Sequence, residues 1–438
     1  MTPSERDGAP AAGQASHAFS GDSAGVGKRV VQAVYYAFVL WIPLETMNAM
    51  KNGDSGFTFS KMLGLLLFGL AIVNRRLCFR RATLAFWLVA WYLAACALSQ
   101  LWVPGNLDAR FRDNQITLIQ MAALFLISTN LFEDADFRAS LLRFYGWWIS
   151  VVGVGMMLGV VGGVFAGTGG RISILGQDPN VAAGFFALGG ICIAGDSRMF
   201  ASRWFIVRIL LSLLAVSALL MAILQTGSRG GLIVFVAGIL GLVLCGGKAT
   251  RMKRLLIAGA VIGALGVMIV REFQQGTDTA TRLIDSWDKG DTAGRTQIYD
   301  VAWEMVRERP LLGYGATNNY SRLGVLLNYS AGDIFFRDTH NLLLAVLTEV
   351  GIIGAAPFLA AIFYALWQAW RYGRKTDDGL PFALMCAQLV INTSLTGYHQ
   401  KLLWIVFAAA VASGLELDDA RKPRSIHSML PGAGAVAA

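Results

Sequence analysis

Long apolar runs alternate with short polar breaks along almost the whole chain, and the pattern predicts helices. Windows of about 17–25 apolar residues match the length a helix needs to cross a bilayer. They fall near residues 30–47, 59–74, 82–103, 115–132, 140–165, 180–195, 203–225, 230–246, 254–271, 341–368, 379–397 and 401–417. The every-second-residue alternation of an outer-membrane barrel strand is absent. The expected fold is therefore all-α: a polytopic membrane helix bundle of about twelve transmembrane helices. Between 271 and 340 the apolar pattern breaks, and a polar segment there carries eight basic residues: Arg271, Arg282, Lys289, Arg295, Arg307, Arg309, Arg322 and Arg337.

One helix is expected inside that break. Ile298, Val301, Ala302 and Met305 follow the i, i+3, i+4, i+7 spacing of an apolar stripe. Asp291 and Thr292 offer N-caps, and Pro310 closes the helix. Arg295 shares the stripe with Ile298 and Ala302, whereas Asp300, Glu304 and Arg307 fall on the opposite side. The helix should lie on the membrane bundle with Arg295 pointing down into it.

With 55% hydrophobic and 15% charged residues, the chain is too apolar for a water-soluble globule. Short cytoplasmic loops retain Arg and Lys. Placing the N-terminus in the cytoplasm puts Arg75-Arg76, Arg80-Arg81, Arg198, Arg203, Lys248 to Arg254, Arg371 to Lys375 and Arg421 to Arg424 all inside. The expected organisation is a disordered cytoplasmic tail at 1–29, nine transmembrane helices over 30–270, a periplasmic loop domain over 271–340, three more helices over 341–417, and a cytoplasmic tail at 418–438. The first tail is rich in Gly, Ala and Ser, has no apolar run before Val30, and shows no cleavable signal peptide. The five cysteines have neither disulfide-framework nor metal-site spacing.

The outward-facing charges are the candidates for chemistry. Arg229, in Thr226-Gly227-Ser228-Arg229-Gly230-Gly231, is wedged between two apolar helices, where a charge is costly unless it pairs or faces a polar cavity. Its flanking glycines allow a turned backbone whose N–H groups can also meet an anion. Arg171 lies in a second external turn that runs into Asp178-Pro179-Asn180, a helix start with Pro fixing φ. His340 stands at the mouth of an apolar helix after Asp338, with a pKa range suited to proton transfer near neutrality. His399 is a weaker histidine candidate, and Tyr299 and Asn341 join Asp178, Asn180 and Arg171 as candidate substrate-binding residues. Arginines bind phosphate through a forked, permanently charged group and stabilise a diphosphate as it departs. Together with a histidine to take a hydroxyl proton, they describe group transfer from a lipid diphosphate.

The pattern Gly227-Ser228-Arg229-Gly230, then Gly294-Arg295, Leu311-Leu312-Gly313-Tyr314-Gly315 and His340-Asn341, resembles the bacterial O-antigen ligase and polymerase superfamily, best over about residues 170–370. The resemblance implies a GT-C type glycosyltransferase that takes a glycan from undecaprenyl diphosphate at the periplasmic face of the inner membrane. A ligase of this kind delivers the glycan to a sugar of the lipid A core, inverting the anomeric carbon without a metal or other cofactor. It also implies that Arg229 and Arg295 hold the diphosphate and that His340 orients or deprotonates the acceptor hydroxyl. The expected partners are the lipid-linked donor, the lipid A core acceptor and membrane lipids, with no nucleic acid. An O-antigen polymerase, a protein O-oligosaccharyltransferase and a membrane transporter stay open as alternatives.

Overall fold

The computed structural model describes residues 13–47, 58–101, 109–164, 171–196, 203–245, 294–331 and 334–421, with isolated helical positions between 255 and 274. The chain divides into two units, Met1–Arg80 and Arg81–Ala438. In the first, α1 (Gly13–Trp41) leads through a 3-10 turn (Ile42–Met47) and on to α2 (Phe59–Val73) and the one-turn α3 (Arg75–Cys78). The Thr58 hydroxyl caps α2 by accepting from the Lys61 N–H at 3.3 Å. Helix α1 begins at Gly13, within the segment expected as a tail, and residues 1–12 of that segment lie outside the described residues. No proline interrupts residues 13–29, and extending an established helix costs far less than nucleating one.

The second unit runs α4 (Leu84–Leu98), α5 (Ala109–Leu131), α6 (Ala135–Met157), β1 (Gly162–Val164), β2 (Ile172–Ile174), α7 (Pro179–Ala194), α8 (Phe205–Gln225) and α9 (Arg229–Cys245). It continues with α10 (Arg295–Glu308), α11 (Asn318–Leu326), β3 (Ser330–Ala331), β4 (Ile334–Phe335), α12 (Leu342–Thr376), α13 (Leu380–Ile391) and α14 (Lys401–Arg421). Helices therefore occupy eleven of the twelve apolar windows, and the window at 254–271 falls mostly outside the described residues. Helices α8 and α12 are long and apolar enough to cross a membrane, while α2, α4, α7, α9 and α13 are shorter apolar helices. The strictly all-α expectation is modified by two short antiparallel hairpins, β1 with β2 and β3 with β4.

Within this unit α7 is buried along nearly its whole length and packs against α6, α8 and α9; α13 packs on α9, and α12 lies between α4 and α14. Helix α10 seats Ile298, Ala302 and Met305 on Tyr314, Leu323 of α11 and Leu344 of α12, so the expected stripe is the buried face. Asp300, Glu304 and Arg307 are exposed, as the spacing requires. The caps differ from expectation, because the helix starts directly after Gly294, with no side-chain cap, and Asp291 and Thr292 lie outside the described residues. A glycine at the cap position in place of a Ser, Thr, Asp or Asn costs only about a few tenths of a kcal/mol. Burial of each large apolar side chain contributes about 1.5–3 kcal/mol, so packing decides.

Helix α12 is broken at Gly351, whose φ of 59° and ψ of −169° are non-helical. The break is filled by backbone from Pro310 to Gly315. Tyr314 and Gly315 N–H groups donate to the Thr348 and Glu349 carbonyls at 2.8 Å each, and the Ile352 and Ile353 N–H groups donate back to Pro310 and Leu311 at 2.8 and 3.2 Å. Four backbone groups orphaned by the break are thereby satisfied. Such an approach requires glycine on both sides: a Cβ at Gly313 would stand 2.7 Å from Glu349 backbone atoms, and one at Gly351 would stand 2.3 Å from those of Leu311.

At the far end of α12 the last turn of α14 collects three ion pairs: Arg81 with Asp419 at 2.6 Å, Arg138 with Glu416 at 2.7 Å and Arg371 with Asp418 at 2.8 Å. They explain why α14 runs past the apolar window that ends at 417. The Arg138 side chain, only 3% exposed, also donates to the Phe132 carbonyl and the Tyr372 hydroxyl. Replacing Glu416 by alanine leaves that buried cation short of its anion and is expected to destabilise the unit by about 1.5–3 kcal/mol. The check is the thermal midpoint in detergent; a midpoint equal to wild type would show that the neutral acceptors suffice.

Candidate active site

Two short sequence patterns become one geometric motif. The α8–α9 turn passes through Gly227 at φ 61°, and α9 then begins at Arg229, with the Ser228 hydroxyl accepting from the Gly231 N–H at 3.3 Å. Likewise α10 begins at Arg295 directly after Gly294 at φ 73°. In both places a left-handed glycine turns the chain and an arginine occupies the first helical position, where the unpaired N–H groups and the positive end of the helix dipole lie.

The two helix starts open onto a single cavity of about 370 Å³, lined by Arg229, Gly230, Ile233, Arg295, Thr296, Tyr299, Val390, Thr393 and Ser394. Two guanidinium groups and two helix N-termini on one cavity make an anion site by both charge and backbone donors. Among the described residues Arg295 has no carboxylate within ion-pair distance.

Tyr299 ties this cavity to His340. Its hydroxyl lies 2.8 Å from the Thr393 carbonyl and 3.3 Å from the His340 carbonyl. His340 itself is outside the cavity wall, half-buried beside it, in a left-handed conformation at φ 49°. Such backbone in a non-glycine residue is uncommon and clusters at working sites. Burial holds the imidazole pKa below its usual 6.5, and Arg337 and Arg295 push the same way against Asp338 and Asp178. At neutral pH the ring is uncharged and able to accept a proton. Asn341 caps α12 through the Leu344 N–H at 3.1 Å. Burial also raises the Tyr299 phenol, with Asp338 adding to it and Arg295 and Asn341 opposing.

The remaining sequence candidates are buttresses. Arg171 donates through Nε to the Thr226 carbonyl at 2.8 Å and through Nη2 to Asn180 Oδ1 at 3.5 Å; that same oxygen accepts from the Ser228 hydroxyl at 2.9 Å. Asp178 caps α7 through the Asn180 N–H at 2.7 Å. Arg171, Asp178 and Asn180 thus fasten the turn that presents Arg229 and do not line the cavity. His399 bonds Asn114 Oδ1 through Nε2 at 2.6 Å and packs on Tyr398, also away from the cavity lining.

The apolar count extends a helix to residue 397, which hides Thr393 and Ser394. In the structure α13 stops at Ile391, where the Asn392 side chain accepts from the Gly397 N–H at 2.8 Å. The run Asn392-Thr393-Ser394, whose side chains compete with the helix for backbone partners, was the available signal. Among the described residues no group of three His, Cys, Asp or Glu side chains comes together to hold a metal ion.

Residues 213–359 match the family model described as O-antigen ligase, roughly a third of the chain. This stretch is an O-antigen ligase family domain. No curated protein matches the chain. The O-antigen ligase domain runs from within α8 to within α12 and so contains both arginine helix starts, the Leu311–Gly315 bridge and His340. Its cavity is completed from outside the matched segment, by Val390, Thr393 and Ser394. The matched segment, together with the apolar helices, supports a membrane setting for the chain.

Proposed function

We propose that the chain is an O-antigen ligase, transferring a glycan from undecaprenyl diphosphate to a sugar of the lipid A core at the periplasmic face of the inner membrane. The observation that carries this reading is the shared cavity of Arg229 and Arg295, two fixed cations and two helix N-termini at one anion-sized site. The donor's diphosphate binds there, and the guanidinium groups stabilise the charge it gains on leaving. His340 takes the proton of the acceptor hydroxyl, whose oxygen pair forms the new bond to the anomeric carbon. The bond to the diphosphate oxygen breaks on the opposite face, its electron pair leaving with the diphosphate, so the centre inverts.

The sidedness has support from charge. Cavity and ion-pair cluster lie toward opposite ends of α12, near Asn341 and Arg371 respectively. The end rich in Arg and Lys is the cytoplasmic one by the positive-inside rule. The cavity's two arginines stand at helix starts rather than mid-span, which also favours group transfer over transport.

Purified protein in liposomes is expected to move glycan from the lipid diphosphate to lipid A core with EDTA present. Activity lost to EDTA and restored by Mg²⁺ would overturn the arginine-only account. His340→Ala is expected to lower turnover by about 10²–10⁴-fold. Because the folded pKa of His340 lies below 6.5, wild-type turnover should hold through neutrality and fall only as the pH drops below 6.5. An acid limb centred above that value would remove His340 as the proton acceptor. A deletion strain separates ligase from polymerase: loss of mature lipopolysaccharide with long polymer still on the carrier lipid marks a ligase, single repeats a polymerase.

A further inference from the structure

We infer that Asp338, held in place by Thr396, is the positioning residue for His340, fixing the proton on Nδ1 and leaving Nε2 as the accepting nitrogen. The inference rests on the proposed role of His340 as proton acceptor and adds the group through which that role is set.

The contacts around Asp338 converge. Its Oδ1 accepts from the Thr396 hydroxyl at 2.6 Å and from the His340 N–H at 3.1 Å. Its Oδ2 stands 3.7 Å from His340 Nδ1. One oxygen is thus committed to the backbone turn and to Thr396, and the other faces the ring. Contacts of this kind are commonly long before substrate binds and tighten afterwards. Thr396 is itself fixed. It belongs to the polar turn after α13, where the Asn392 side chain accepts from the Gly397 N–H at 2.8 Å and the Asn392 carbonyl accepts from the Leu342 N–H at 2.9 Å. The turn is therefore bolted to α12 two residues beyond His340.

The left-handed backbone at His340 follows from this arrangement. An Asp accepting from the N–H two residues on is an Asx turn, and it aims the following ring. The charged groups facing His340 from the elements around it are Asp338 and Arg337 on its own strand of chain, Arg295 from α10 and Asp178 from the start of α7. Tyr299 of α10 contributes its hydroxyl at the His340 carbonyl. Of the two carboxylates, Asp338 is the one in ion-pair contact with the ring. In the reaction the acceptor hydroxyl proton passes to Nε2, the hydroxyl oxygen pair forms the bond to the anomeric carbon, and the diphosphate leaves with its own pair. The resulting imidazolium is then balanced by the Asp338 carboxylate.

Asp338→Asn separates this role from a merely structural one, because the amide oxygen can keep accepting from Thr396 and the His340 N–H while the charge is gone. The expected result is a fall in kcat of about 10³-fold with KM within about threefold, and partial recovery in Asp338→Glu. The second readout needs no glycan substrate. The rate at which diethyl pyrocarbonate modifies His340, followed by mass spectrometry of its peptide, reports the ring's titration midpoint. Asp338 raises that midpoint in the wild type, so Asp338→Asn should shift it to lower pH. A normal kcat in Asp338→Asn, or a fallen kcat with an unmoved midpoint, would overturn the inference and leave Asp338 as a turn residue. A midpoint shifted in Asp338→Asn, with no glycan transfer by the wild-type protein, would sustain the positioning of His340 and refute the transfer reading instead.

Discussion

Arg295→Ala and Arg229→Ala are each expected to lower glycan transfer by at least about 10³-fold, in the range seen when an arginine that meets developing phosphate charge is removed. Both residues begin helices whose first turns stay anchored by packing, α9 against α7 and α13 and α10 against the Tyr314, Leu323 and Leu344 cluster. The variants should therefore insert and keep their thermal midpoint. Arg→Lys at either position keeps the charge and loses the forked, planar donor set, so it should recover only part of the activity. The measurement is single-turnover transfer by detergent-purified protein at saturating donor. Wild-type turnover in either alanine variant would remove that arginine from the site.

The second large effect is expected far from the charged groups. Gly351→Ala places a Cβ 2.3 Å from the Leu311 carbonyl carbon and oxygen and 2.5 Å from the Leu312 nitrogen, all backbone atoms that cannot swing aside. It also forces an L-residue into φ 59° and ψ −169°, a region that belongs to glycine. Strain and overpacking together cost about 2–6 kcal/mol. The outcome should be a protein that still inserts while the Arg295–Leu326 segment loses its seat on α12. Protease cleavage between residues 295 and 340 should rise and transfer should be lost. Gly69→Ala is the control, since an added Cβ there meets nothing within 4 Å. Equal protease resistance in the two variants would contradict the bridge at Gly351.

Periodicity carried much of the fold. Eleven of the twelve apolar windows lie on described helices, and the spacing of Ile298, Ala302 and Met305 foretold both the buried face of α10 and the side on which Arg295 sits. The pairing of Arg229 with Arg295 was legible because a charge beside glycine at the edge of an apolar run is hard to explain by packing. What escaped was set by tertiary contact. Gly351 follows Thr348 and Glu349 within an otherwise apolar run that also holds Gly354 and Pro357, and this local sequence does not distinguish a continuous helix from two half-helices opened to receive the Pro310–Gly315 backbone. Arg171 reads as a third phosphate ligand until its Nε is seen on the Thr226 carbonyl, a partner 55 residues away. The turn after α13 is hidden in the sequence because Leu395 continues the apolar count past Asn392-Thr393-Ser394. That turn supplies Thr393 and Ser394 to the cavity and Thr396 to Asp338.

Where a lipid diphosphate binds is the most direct test of the arginine site. A structure of the protein with undecaprenyl diphosphate in a lipid nanodisc should show the two phosphates in the cavity between the first turns of α9 and α10. Guanidinium nitrogens of both Arg229 and Arg295 should lie about 2.7–2.9 Å from phosphate oxygens. A diphosphate bound elsewhere, or held by one of these arginines while the other stays turned away, would contradict it.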